Sequence, residues 1–163
     1  MKRYKLLLLR VENFRLFKRS ELNLRGGFGL VFLRGENADV PGADSNMAGK
    51  STLLSAIPWC LYGTDAHGAR LSANVVRDGE TACCVSCTFR SADGAPLTVR
   101  RRRDNLLGAS VAVTLDIERR VNGKTLVSSG RADEMQRYVD AEFGPADLFL
   151  AAHFFGYDER GTP

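Results

Sequence analysis

No stretch of this sequence is apolar for long enough to cross a membrane. The block Leu6 to Leu9 has four residues where about twenty are needed, and it lies in a strand-like pattern rather than in a signal-sequence core. Histidine is scarce. His67 and His153 stand far in sequence from the four cysteines, Cys60, Cys83, Cys84 and Cys87, so the Cys84-x-x-Cys87 spacing lacks partners for a tetrahedral metal site. Cys83 and Cys87 would share one face of a strand and Cys84 the other, as small core residues do in a reducing compartment. There is no internal repeat, no low-complexity tract and no linker long enough to divide the chain. What remains is one domain over 1–163, expected in the cytoplasm. At 44% hydrophobic and 26% charged residues, it can bury a single core.

The charge balance is mildly basic, with a formal net charge of +4 and a pI near 9.0. Arg100-Arg101-Arg102-Arg103 concentrates it. On a strand these side chains alternate, so about two face any one partner. Arg101 and Arg103 are one such pair, able to meet a nucleic-acid phosphate backbone. A charge-protected edge strand explains the run equally well, and ion pairs with Asp78, Glu80 or Asp104 are a third reading.

The densest chemistry lies in Asn46-Met47-Ala48-Gly49-Lys50-Ser51-Thr52. Residues 28–34 form an apolar run of strand length, and after Ser51 the residues Leu53, Leu54, Ile57 and Leu61 recur at helical spacing. A strand, a Gly-bearing turn and a helix opening on Lys-Ser make a phosphate-binding loop. Amides at a helix start point at an anion, and the helix dipole favours negative charge there. Gly49 lets the backbone approach, Lys50 meets the β- and γ-phosphates, and the Ser51 hydroxyl suits Mg²⁺. Asp44 stands where the full pattern has its first Gly, and Met47 where many loops carry another. A turn that caps a helix and binds nothing is the alternative. Pro58 falls inside the helix and is expected to kink it.

The flanks extend the pattern: Tyr4 to Phe14 as a strand ending in Asn13-Phe14-Arg15, then Phe17-Lys18 and Glu21 to Leu24, and after the loop Lys50 to Gly63. Together these residues resemble the amino-terminal half of the SbcC-type DNA-repair ATPase head, a relative of SMC proteins, in its phage recombination-endonuclease form. The resemblance runs from Tyr4 to about Tyr157. It implies an α/β P-loop NTPase fold, the amino-terminal lobe of an ABC-ATPase head, with a mixed sheet and an antiparallel meander around the P-loop helix. It further implies ATP and Mg²⁺ as cofactors and a place for Arg15 beside the nucleotide phosphates. The partners it implies are DNA, an SbcD-like nuclease subunit, and a second head or complementary carboxy-terminal half.

The later segments fit this template. Thr81 to Phe89, Leu97 to Arg103, Ser110 to Arg120 and Thr125 to Ser128 read as meander strands, with turns at Asp93-Gly94 and Asn122-Gly123. Ala132 to Phe143 reads as an amphipathic helix with Met135, Tyr138, Val139 and Phe143 on one side, stopped by Gly144-Pro145. Leu148 to Gly156 resembles the approach to the family's Q-loop, with Tyr157 in place of the Gln. Asp158-Glu159 admits a Walker B reading, with Glu159 activating water, or a plain solvated acidic pair. Neither a signature motif nor a coiled coil follows, so the lobe is expected to be incomplete and not to turn over ATP unaided. The competing function is a degenerate head-like module that binds DNA or a partner protein without hydrolysis.

Overall fold

In a computed structural model, residues 3–26, 31–34, 49–71, 75–105, 112–121 and 123–153 are described. Alternation of apolar and polar residues builds six strands: β1 (Tyr4–Phe14), β2 (Phe17–Asn23), β3 (Ala82–Ser91), β4 (Pro96–Asp104), β5 (Ala112–Val121) and β6 (Lys124–Arg131). Helix α1 (Lys50–Tyr62) precedes β3, while α2 (Ala132–Phe143) and α3 (Ala146–His153) follow β6. The strands form one sheet in the order β2-β1-β3-β4-β5-β6. Every neighbouring pair is antiparallel.

Period-two burial gives the sheet two unlike faces. Cys83, Val85, Cys87 and Phe89 of β3 are buried, as are Leu97, Val99 and Arg101 of β4 and Leu115 of β5. Against this face lie Ala56, Trp59 and Cys60 of α1, Met135, Val139 and Phe143 of α2, and Phe149 of α3. Trp59 and Phe14 meet with ring centroids 5.2 Å apart, joining α1 to the end of β1. Aromatic groups of this size dominate a small core, each adding about 1 kcal/mol beyond its buried area when paired in this way. The other face carries register-aligned polar rows: Arg10 lies opposite Glu21 on one side and Ser86 on the other, and Ser86 lies opposite Arg100.

The four meander strands stand where the alternation places them, with ends moved by one to three residues. Gly94 and Gly123 take φ of 85° and 77°, the left-handed backbone that tight hairpins demand. Helix α2 has the expected bounds, and the Gly144 amide closes its end on the Asp140 carbonyl at 2.9 Å. Tyr138 is a correction: it is exposed beside Arg137 rather than buried with Met135 and Val139. The strand expected over 28–34 is a second correction as far as it can be followed. Residues 31–34 are not strand, and Val31 and Phe32 are 50% and 86% exposed. An apolar run becomes a buried strand only when neighbours take its amides and carbonyls, and none of the named strands pairs with residues 31–34. The mixed sheet expected here is antiparallel throughout among the described residues.

Candidate nucleotide site

Helix α1 begins at Gly49, whose φ of 79° and ψ of 9° place it in the left-handed region. The first intrahelical bond runs from the Leu53 amide to the Gly49 carbonyl at 2.8 Å. The amides of Ser51 and Thr52 therefore have no acceptor within the helix. Gly49 has no side chain to cap this end, and no acidic residue lies in the first turn. The helix thus presents a positive dipole end followed by a lysine and two hydroxyls. Ser51 is exposed, and Lys50 and Thr52 are half-buried. These residues fit a phosphate with an attendant hard cation, since nothing of like charge in the first turn opposes one.

The β1–β2 turn is brought against this end. Phe14 and Phe17 are register partners, leaving Arg15 and Leu16 as a two-residue loop. A Cβ on Gly49 would stand 2.7 Å from the tip of the Phe17 ring, so the turn touches the first residue of the helix. Arg15 adopts φ of 50°, and its amide donates to the Val75 carbonyl at 2.8 Å. The structure thereby gathers Gly49, Lys50, Ser51, Thr52 and the turn bearing Arg15. Asn46, Met47 and Ala48 lie outside the described residues, as do Asp44, Tyr157, Asp158 and Glu159.

Arg101 has a different occupation from the one expected of it. It is 4% exposed and donates through Nε to the Cys60 carbonyl at 2.9 Å. Its Nη2 donates to the Leu61 carbonyl and to Gln136 Oε1, both at 2.9 Å. A guanidinium so engaged cannot lie on a DNA backbone. It caps the carbonyl end of α1 instead, where a cation is favoured by the dipole. Burial lowers its pKa to about 10, which leaves it protonated at neutral pH. Arg103 is half-buried on the same helix-covered face and donates to Asn105 at 3.0 Å. The exposed members of the run are Arg100 and Arg102, on the opposite face, and Arg102 is paired with Asp104 at 2.8 Å.

That opposite face holds a groove of about 560 Å³ whose walls include Arg10, Glu12, Arg19, Glu21, Cys84 and Arg100. It is remote from the α1 start and mixed in sign, with Arg10 bonded to Glu21 at 2.7 Å. Its chemistry is not that of a phosphate cradle. Cys84 half-faces this groove, and burial pushes its thiol up to about 11. Cys83 is pushed up to about 12 by burial, and Cys87, beside Cys60, stands well above its ordinary range for the same reason.

Phe17 and the segment Val75–Arg77 are participants in the site that periodicity did not reveal. Phe17 lies two residues beyond Arg15 and could have been suspected from that alone. Arg77 bonds the Leu16 carbonyl from 61 residues away, and no local signal in the sequence announces such a return.

An α/β unit whose sheet supports a helix opening on Gly-Lys-Ser belongs to the P-loop ATPase class of folds. Residues 8–150 match the model of a family described as an AAA domain, and the chain belongs to that family. Among solved structures, it is similar to the recombination mediator protein RecF with ATP in the RecFOR pathway. That match has 23% identity and a TM-score of 0.46, covering 77% of this chain and 29% of RecF. It is also similar to the RecF–ATPrS structure, at 24% identity and a TM-score of 0.46, covering 76% of this chain and 28% of the other. The chain thus spans less than a third of those proteins' length. A search of curated proteins gave no match.

Proposed function

We propose that this chain is the ATP–Mg²⁺-binding part of an ATPase of DNA repair or recombination, completed by a carboxy-terminal half and closing on a second head. The observation that carries the reading is the start of α1, led by a left-handed Gly49, followed by Lys50-Ser51-Thr52 and without an acidic residue in its first turn. Lys50 and the first-turn amides would hold the phosphates, Ser51 the Mg²⁺, and Arg15 the outer phosphate oxygens through its fork of donors. A bound Mg²⁺ would supply the charge that offsets the β- and γ-oxygens. Exposed Val31, Phe32 and Leu54 are apolar surface that a complementary half would cover. DNA would meet the chain through Arg100 on the uncovered face rather than through Arg101 or Arg103. An SbcD-like nuclease remains the partner that the SbcC resemblance implies.

Titration calorimetry with ATP–Mg²⁺ tests the reading. Heat from the unmodified chain, lost in Lys50→Ala, is the expected outcome, together with no phosphate release by the isolated chain. No heat from the unmodified chain would overturn nucleotide binding and leave the non-hydrolysing module that binds DNA or a protein.

A further inference from the structure

The turn that carries Arg15 is strained, and a distant segment straps it down. Arg15 and Asn13 both adopt positive φ, 50° and 49°. Asn tolerates this conformation, but an Arg adopts it only under strain. Two-residue hairpin loops normally place Gly at the position Arg15 occupies when only the first loop residue has positive φ. Such strain persists only where the surroundings over-determine it.

The surroundings here are Val75, Val76 and Arg77. The Arg15 amide donates to the Val75 carbonyl and the Arg77 amide to the Asn13 carbonyl, each at 2.8 Å, and Phe14 bridges to Val76. Asn13 Nδ2 also donates to Glu80 at 3.3 Å. The Arg77 side chain then crosses to the far side of the turn, where Nη1 donates to the Leu16 carbonyl at 2.7 Å. Leu16 is the link between Arg15 and Phe17, and the Phe17 ring is what meets Gly49. One charge-assisted bond therefore holds the last free peptide of the loop against the start of α1.

We propose that Arg77 is a positioning residue for nucleotide binding: it keeps the β1–β2 turn seated on Gly49 so that Arg15 is presented to the phosphates. This rests on the nucleotide reading above and on Arg15 as a phosphate contact. A side chain that only stabilised the fold would lower the melting temperature without changing the affinity of the folded protein. A side chain that touched the phosphate itself would act independently of Arg15.

A double-mutant cycle on the full chain separates these cases, with ATP–Mg²⁺ as the probe. Arg77→Met is expected to weaken binding roughly tenfold. Arg77→Lys, whose ammonium lies one bond short of the Arg77 Nη1 position and keeps the charge, is expected to retain more of the affinity than Arg77→Met. In an Arg15→Ala background, Arg77→Met should have no further effect. Full additivity, or Arg77→Lys losing as much as Arg77→Met, would overturn the proposal. Amide exchange of Arg15 in nucleotide-free protein, followed by NMR, gives a readout that survives failure of the nucleotide reading. Faster exchange in Arg77→Met is expected, and unchanged protection would refute the strap even if ATP binds.

Discussion

Gly49 meets two constraints at once, and both can be measured. Its φ of 79° costs an L-residue about 1–2 kcal/mol, and a Cβ there would overlap the Phe17 ring tip at 2.7 Å. Gly49→Ala should therefore lose at least about 2 kcal/mol in urea denaturation. Adding Phe17→Ala should abolish the overlap but not the backbone strain, so the pair should be less than additive. Fully additive losses would show that the turn does not touch the helix start. Gly49 was readable from sequence because a Gly-Lys-Ser step has one backbone meaning. Arg101 was not. Strand alternation shows that Arg101 and Arg103 share a face, but it says nothing about which face the helices cover.

The same arginine governs an element. Helix α1 ends with its carbonyls pointing into the interior; the Gly63 amide takes that of Trp59 at 2.9 Å, and Arg101 and Gln136 take those of Cys60 and Leu61. Two effects compete when Arg101 is replaced by Met. The fall of its pKa from 12.5 to about 10 on burial corresponds to roughly 3 kcal/mol of desolvation that the variant would escape. Against that, the Cys60 carbonyl and Gln136 Oε1 lose their donor and Leu61 keeps only Gln136, at about 1–3 kcal/mol for each buried acceptor left alone. The favourable dipole interaction is lost as well. The expected net is a loss of about 1–3 kcal/mol, seen as a lower urea midpoint with an unchanged slope. Arg101→Lys should fall between, and Arg101→Met as stable as the parent protein would remove the cap. At this scale α2 was legible to the residue, because Gly144-Pro145 stops a helix by backbone chemistry. The run 28–34 was not, because apolarity alone does not say what will pair with it. Pro58 lies inside α1, which runs as one element from Lys50 to Tyr62.

For the whole molecule, the meander strands and α2 were legible from alternation and spacing, whereas the return of Val75–Arg77 to the β1–β2 turn and the face that the helices cover were not. The same one-sided burial makes stability depend on pH. Burial raises the thiols of Cys83 to about 12 and Cys84 to about 11, and it raises Cys87 and the phenols of Tyr4 and Tyr62 as well. These groups are neutral when protonated, so the folded state holds its protons more tightly than the unfolded chain does. Their contribution is complete below the unfolded thiol range, near pH 8.5, and drains away as pH rises through the folded values. Cys60, bonded to Cys87, is shifted the other way, so that pair partly cancels and Cys83 carries the clearest part of the fall, about 2 kcal/mol by pH 10. The acid limb is shallow by contrast. Asp104 is held low by Arg102 and Asp133 by Arg131; Asp133 is exposed, where such a pair contributes little, and half-buried Asp104 is the one carboxylate of the two with a modest acid contribution. Urea midpoints should therefore fall steeply between pH 8 and pH 10 and only slightly between pH 6 and pH 4. Cys83→Val, which keeps the core apolar, should flatten the alkaline fall. A level alkaline limb would mean that Cys83 is not sealed in the core.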